Sequence, residues 1–247
     1  MYARSLSYCS GSIGKTNVKE TLCNIASLPQ LDQGVASNQK FAILGDLTLD
    51  GAGNVAGSEV FRTAVTSLWS SVTGTYTMSS PQSGTLTLTL DQGDGDSAPM
   101  THNYRFLITG DNELLAIRPD SGVFSVCTLS PELVSPNKGS FAFSELESNG
   151  NGRNLTMLAK LALDGNGAVA GSAVSLNSAG SADATISGTY AAPAKGLGTL
   201  AVSLTTKDSD GVDQTSVQTY RTAATRDGVK AIRMDPGLVS VASFDPQ

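Results

Sequence analysis

Apolar and polar residues alternate along most of the chain, and glycines mark the breaks in the alternation. Two similar runs show the pattern most clearly: Leu86, Leu88 and Leu90 between threonines, and Leu200, Val202 and Leu204. Side chains two residues apart on a β-strand face the same side of the sheet, so this alternation predicts strands with one buried face. The Asp-Gly pairs at residues 50–51 and 164–165 are typical of tight hairpins between such strands. The pattern therefore predicts an all-β chain of short strands.

The hairpin sequences belong to a long internal repeat. Residues 49–60 lie over residues 163–174 at an offset of 114, and residues 74–76 and 84–86 find matches at the same offset. Between residues 49 and 90, 17 of 42 gapless positions are identical. This period is much longer than the roughly 20–50 residues of solenoid and propeller repeats, so each copy is expected to be a domain. The repeat indicates a tandem duplication.

The repeat divides the chain into two modules. We place copy one at residues 1–132 and copy two at residues 137–247. Residues 129–138 form the predicted linker, because the two prolines there disfavour regular structure. Residues 2–5 match the first strand of copy two, which predicts an N-terminal insertion in copy one at about residues 10–38.

Each copy has room for about eight short strands, which is typical of small all-β domains. Sequential strands joined by short turns favour two tandem antiparallel up-and-down eight-stranded β-barrels, since closure removes the exposed sheet edges. The alternative is two β-sandwiches of the immunoglobulin type. Their Cys-Trp-Cys signature is absent, because Trp69 lies in a serine-rich segment and has no counterpart in copy two. We therefore predict the barrels.

Composition narrows the classes of partner. Charged residues make up 15% of the chain, and 22 acids against 16 bases give a net charge of −6, so the positive surface that nucleic acids require is not expected. No run of apolar residues is long enough to predict a transmembrane segment, and the N-terminus lacks the apolar core of a signal peptide. The abundance of Ser, Thr and Gly favours an extracellular or cell-surface location.

The three cysteines are Cys9, Cys23 and Cys127. The spacing of 14 residues between the first two suits a disulfide-closed loop in an oxidising compartment, with Cys127 left over. Other pairings stay open, because sequence alone does not fix connectivity. A zinc site is not expected, since four ligands cannot be assembled convincingly around one histidine, His102.

Two acidic loops occupy equivalent positions in the copies. Their carboxylates are Asp91, Asp94 and Asp96 in copy one, and Asp208, Asp210 and Asp213 in copy two. Alternate carboxylates offer the hard oxygen ligands that Ca²⁺ prefers, although the closing glutamate of an EF-hand is missing. The alternative is that Asp and Gly serve only as turn residues. No other cofactor is expected.

Two ionic pairs recur at the same spacing, Arg118 with Asp120 and Arg233 with Asp235. Residues two apart on a strand face the same side, so each pair is predicted to form a small ionic cap at a barrel end, with a substrate clamp as the alternative. His102 has no counterpart in copy two, and no nucleophile elbow, phosphate loop or zinc-protease motif occurs. A non-enzymatic protein is therefore predicted.

The order of the repeated motifs resembles a known family. A strand is followed by D-G-x-G-x-V-x-G at residues 50–57 and 164–171, then by G-T-Y, G-T-L-x-L, Y-R and A-I-R-x-D-x-G. This order resembles the lipocalin-like, calycin-type repeat modules of secreted bacterial proteins. The resemblance implies β-barrels that hold a small apolar ligand.

Two functions follow from these observations. The preferred prediction is a non-enzymatic extracellular structural protein, a subunit of a filament or surface layer that associates with itself or with another extracellular protein. Its basis is the duplicated compact module and the weakly charged Ser/Thr/Gly surface. The alternative is a lipocalin-like binding protein for a small apolar ligand.

Overall fold

The computed structural model describes residues 28–36, 39–93, 98–109, 113–119, 123–129, 138–149, 154–177, 180–192, 197–225 and 228–247. These residues form strands and the turns between them, which confirms the all-β prediction. Over the same residues, no helix is long and apolar enough to cross a membrane.

The strands follow one another along the chain, and each pairs antiparallel with its neighbours. In copy one they are β1 (Leu28–Ala36), β2 (Gln39–Leu49), β3 (Asn54–Thr63), β4 (Ser67–Ser80), β5 (Ser83–Asp91), β6 (Met100–Ile108), β7 (Leu114–Arg118) and β8 (Val123–Leu129). In copy two they are β9 (Lys138–Asn149), β10 (Asn154–Asp164), β11 (Ala168–Asn177), β12 (Gly180–Ala191), β13 (Gly198–Lys207), β14 (Asp213–Thr225), β15 (Gly228–Arg233) and β16 (Leu238–Pro246).

The strands of copy two form one closed antiparallel barrel, because β16 pairs with β9 as well as with β15. The predicted up-and-down barrel is therefore confirmed for copy two, and the β-sandwich alternative does not hold there. In copy one, β2 to β8 form a curled antiparallel sheet of seven strands. The main chain of β1 pairs with both edges of that sheet, at β2 and at β8.

Strand β1 is a strand that the alternation of apolar and polar residues does not predict. It lies within the segment at about residues 10–38 and takes the place in copy one that β9 takes in copy two. Its sequence contains Pro29 and Gly34, which are depleted in strands, and so it does not show the alternation that identifies the other strands. Residues 2–5 and most of the predicted linker, residues 130–137, lie outside the described residues.

The repeated Asp-Gly-x-Gly motif forms the hairpin between β2 and β3. Asp50 Oδ1 accepts hydrogen bonds from the backbone N–H groups of Ala52 at 2.7 Å and Asn54 at 2.9 Å. Gly53 has a φ of 104°, in the left-handed region that favours glycine. The loop at Asp164 repeats both carboxylate bonds. The motif is repeated in the sequence because each copy builds the same turn.

Each copy encloses an apolar core made by the alternate side chains of its strands. Fully buried members in copy one include Leu47, Leu86, Leu88, Leu90, Tyr104 and Leu114. The core of copy two includes Phe141, Phe143, Leu161, Leu200, Tyr220, Ala231 and Phe244. Apolar side chains therefore occupy most of the described interior positions of both copies.

Candidate functional site

A buried polar cluster surrounds Glu145 inside the barrel of copy two. Glu145 on β9 is 1% exposed, and Ser240 on β16 donates a hydrogen bond to its Oε1. Arg233 Nη1 lies 3.9 Å from the same oxygen. The hydroxyl of Tyr220 lies 3.0 Å from Glu145 Oε2 and 2.7 Å from Gln218 Oε1. The Tyr220 hydroxyl therefore joins the carboxyl group and the amide in one buried hydrogen-bond network.

Burial controls the ionisation of this cluster. Removal from water raises the pKa of Glu145, and the hydrogen bond from Ser240 and the charge of Arg233 oppose that rise. Burial also raises the pKa of Tyr220 well above its ordinary value, and the neighbouring carboxylate of Glu145 adds to the rise. Burial therefore shifts both groups toward their neutral forms.

Replacement of this acid should change how stability depends on pH. Because the folded state raises the pKa of Glu145, it favours the protonated carboxyl, and this stabilisation is complete below the ordinary pKa of 4.5. The stabilisation is lost as the pH rises through the raised pKa. Glu145→Gln removes this loss. The free energy of unfolding of the variant should therefore rise relative to that of the wild type as the pH rises above about 4.5.

Urea unfolding of the wild type and Glu145→Gln at a series of pH values measures this difference. Asp213→Asn is a suitable control, because the Asp213 side chain is 62% exposed. If the wild type and Glu145→Gln differ in free energy of unfolding by the same amount at every pH, that result contradicts the proposed cost of burying the carboxylate.

Copy one also buries a carboxylate, but a different strand supplies it. Glu59 on β3 is 0% exposed, and its Oε1 lies 4.0 Å from Nδ1 of His102, which is 3% exposed. His102 occupies the position of Gln218, and its ring meets the edge of Tyr104 at a centroid distance of 6.4 Å. The Glu59 position is Ala173 in copy two. Each interior therefore contains a buried tyrosine and a buried glutamate, but the glutamate comes from β3 in copy one and from β9 in copy two.

The outer surface of copy two carries a groove with a cavity of about 360 Å³. Its lining includes Leu158, Lys160, Ser172, Val174 and Asp183 from neighbouring strands of the sheet. Leu158 and Val174 are 55% and 40% exposed. This groove lies outside the barrel, and its apolar floor faces solvent.

A shared apolar surface joins the two copies. The outward side chains of Ala42, Leu44 and Val60 on β2 and β3 pack against those of copy two. Their partners on β14, β15 and β16 are Ala223, Ile232 and Val239, with Val241 half-buried beside them. Leu44, Val60 and Ile232 are 0% exposed, so this contact excludes water from the space between the copies.

Polar contacts surround this apolar contact. The guanidinium of Arg221 lies over the ring of Trp69, at 4.5 Å from its centre. Arg62 donates a hydrogen bond to the backbone carbonyl of Asp235. Desolvation lowers the pKa of Arg62, and the charge of Asp235 opposes this shift. The backbone N–H of Gly237 donates to the carbonyl of Ala64 at 2.7 Å. The interface therefore has an apolar centre and a polar rim, as specific protein interfaces do.

The acidic loop of copy two is held together by its own contacts. Asp208 Oδ1 accepts from the backbone N–H groups of Asp210 and Val212, at 3.0 and 2.9 Å. Asp213 forms an exposed ion pair with Lys207 at 2.7 Å. In copy one, Asp91 Oδ1 accepts from the N–H of Gly93 at 2.9 Å, while Asp94 and Asp96 lie outside the described residues. Within the described ranges, no cluster of three His, Cys, Asp or Glu residues could hold a metal ion, and the calcium hypothesis stays a prediction.

The repeated arginines lie at the ends of β7 and β15. Arg233 Nε donates to Asp235 Oδ2 at 2.7 Å, and Asp235 also accepts from the hydroxyl of Thr219 at 2.9 Å. Arg118 is half-buried at the equivalent position, and Asp120 lies outside the described residues. The pair of copy two therefore adjoins the interface, because the carbonyl of Asp235 is also the acceptor for Arg62.

The cysteines divide between described and undescribed parts of the chain. Cys127 on β8 is 0% exposed and carries a thiol in the core of copy one. Cys9 and Cys23 lie outside the described residues, so their disulfide stays a prediction.

The interface between the copies was not foreseen from the sequence, although the sequence contains a signal for it. Residues 41–44 of β2 are four consecutive apolar residues, each 2% exposed or less. Residues 222–225 of β14 are also buried without interruption. A strand that is buried on both faces loses the apolar and polar alternation. The breaks in alternation therefore mark the strands that are covered from outside.

No protein-family model and no curated protein matches the chain. Among solved structures, an AttH-type protein from Nitrosomonas europaea aligns with 90% of this chain and 93% of its own length, with 9% sequence identity and a TM-score of 0.25. A TM-score this low supports no argument about fold or function. The resemblance to the lipocalin-like modules stays a prediction.

Proposed function

We propose that this protein is a non-enzymatic structural protein, a self-associating subunit of a filament or surface layer outside the cell. It consists of two lipocalin-like eight-stranded barrels, with β1 completing the barrel of copy one as β9 completes that of copy two. The observation that carries the proposal is the contact between the copies, where outward-facing strands of one module are buried against outward-facing strands of the other.

The side chains inside and outside the barrels support this role in different ways. At the described positions the interiors hold mainly apolar side chains packed together, which favours a structural role over that of a carrier. The outer faces of the sheets, in contrast, carry the contact between modules. Packing of barrels side by side is what a structural array requires.

An exposed apolar patch on copy one gives further support. The outward side chains of β6, β7 and β8 include Leu107, Leu115, Ile117 and Val126, which are 56%, 43%, 51% and 44% exposed. Their strands are neighbours in the sheet, so the four side chains lie close together. Contiguous exposed apolar patches mark interaction surfaces, and contacts with another protein are among them.

Self-association should depend on protein concentration. Sedimentation velocity of the full chain from about 1 µM to about 1 mM is expected to show the average mass rising beyond that of one chain. The reason is that a higher concentration favours association between chains, which covers the patch. Negative-stain images of the most concentrated sample then show the form of the assembly. A single species with the mass of one chain over the whole range contradicts the proposal.

A further inference from the structure

Each of the two surfaces that join the copies has a counterpart on the other copy. In each case only one of the two counterparts lies in the contact between the copies. We name the outward row Leu44–Val60–Trp69 the front face of copy one; cross-strand register places Leu158–Val174–Asp183 in the same row of copy two. The first two members of each row are the same residue types. The front face of copy two is the apolar groove described above.

The opposite surface is repeated even more closely. We name the row Arg221–Ile232–Val241 the back face of copy two; register places Arg105–Ile117–Val126 in the same row of copy one. All three residue types are identical in the two rows. The same three residue types therefore stand in this row on both modules.

Burial separates the used faces from the unused ones. On the used pair, the front face of copy one and the back face of copy two, Val60 and Ile232 are 0% exposed. On the unused pair, their counterparts Val174 and Ile117 are 40% and 51% exposed. Each chain therefore has an uncovered front face on copy two and an uncovered back face on copy one.

We propose that a second copy of this chain covers these faces, with the front face of copy two docking on the back face of copy one of the next molecule. The inference rests on the proposed self-association and names its interface. The occupant is a second copy because the surface that fits each face is already present, in contact, within one chain.

Between the named rows the one difference, Trp69 against Asp183, is complementary in charge. Outside the rows, Leu107 stands where copy two has Ala223. Within the chain, Arg221 of the back face stacks on Trp69 of the front face. The counterparts of these residues are Arg105 and Asp183, both exposed. The contact between molecules therefore replaces an arginine stacked on an aromatic ring with an arginine beside a carboxylate, which is also attractive.

This contact joins two different surfaces, so it does not close on itself in a dimer. Repetition of the same docking generates a ring if the rotation between molecules closes and an open helical filament if it does not. Within the chain the two modules are covalently connected, so they meet at a high effective concentration. Between chains the equivalent contact has to offset the loss of translational and rotational freedom on association. We therefore expect it to form at higher protein concentration.

Charge reversal at the predicted ion pair tests the inference. Asp183→Arg and Arg105→Asp each place like charges across the contact, and each is expected to weaken association at least about tenfold. The double variant Asp183→Arg/Arg105→Asp restores opposite charges and should regain association close to that of the wild type. Sedimentation velocity at equal concentrations measures all four proteins, and far-UV circular dichroism checks that the barrels are intact.

The outcomes separate this inference from the proposed function. Loss in both single variants with recovery in the double variant supports head-to-tail docking. A wild type that associates, together with single variants that associate equally well, overturns the head-to-tail interface and leaves self-association standing. A wild type that stays a single chain at all concentrations overturns both.

Discussion

Ile232→Ala is expected to lower the free energy of unfolding by about 2–5 kcal/mol, the usual cost of removing a large aliphatic side chain from a tightly packed site. Ile232 lies on the outer surface of the copy two barrel, where a substitution would ordinarily cost little. It is nevertheless 0% exposed, because Leu44 and Val60 of copy one cover it. The cost therefore measures the packing between the copies.

The chain provides a matched control at the equivalent position. Ile117 of copy one has the same residue type and the same place in the sheet, but it is 51% exposed. Ile117→Ala is expected to change the free energy of unfolding by no more than about 0.5 kcal/mol, as surface substitutions usually do. The comparison keeps the side chain and strand position constant and changes only the covering module.

Two optical probes can show where the loss arises. The chain has one tryptophan, Trp69, which stacks under Arg221 at the rim of the interface. In Ile232→Ala, urea should change the tryptophan fluorescence at lower concentration than in the wild type, since the copies separate more easily. Far-UV circular dichroism reports the strands themselves. Equal losses of stability for Ile232→Ala and Ile117→Ala would show that the copies do not support one another.

The parts of the fold that the sequence predicts are those fixed by local chemistry. The hairpins follow from Asp50 and Asp164, whose carboxylates bind backbone N–H groups within their own loops. The strands follow from side chains that alternate between core and solvent. Both features depend on residues close together in the chain, so a single sequence is enough to find them.

Strand β1 and the interface depend on residues far apart in the chain. Strand β1 contains Pro29 and Gly34, and its assignment rests on its pairing with β2 and β8. The segment around Trp69 is rich in serine, yet it belongs to β4, where Trp69 pairs with Val60. Alternation reveals which side chains point outward, but it does not reveal which outward faces meet.

The buried acids were also missed, although alternation could have found one of them. Glu145 follows Phe141 and Phe143 at two-residue steps, so it shares their inward-facing side of β9. A carboxyl at a position that the pattern assigns to the core needs partners, and Ser240 and Tyr220 provide them from distant strands. The acid was predictable from the sequence, and its partners were not.

Mixing two blocked variants should produce a defined complex from two proteins that do not associate alone. Leu158→Asp places a charge on the free front face, and Ile117→Asp places one on the free back face; both side chains are more than half exposed, at 55% and 51%. Neither substitution disturbs the contact within the chain. Each variant should be strongly impaired in self-association, because each has lost one of the two faces that must meet.

The mixture still contains one intact front face, on Ile117→Asp, and one intact back face, on Leu158→Asp. Docking of these faces leaves only blocked faces at the outer ends, so growth stops at two chains. Sedimentation velocity of the equimolar mixture, beside each variant alone, is the most direct test of head-to-tail association. We predict single chains for each variant alone and a one-to-one heterodimer on mixing. A mixture that sediments as the sum of its two components, under conditions where the wild type associates, would contradict it.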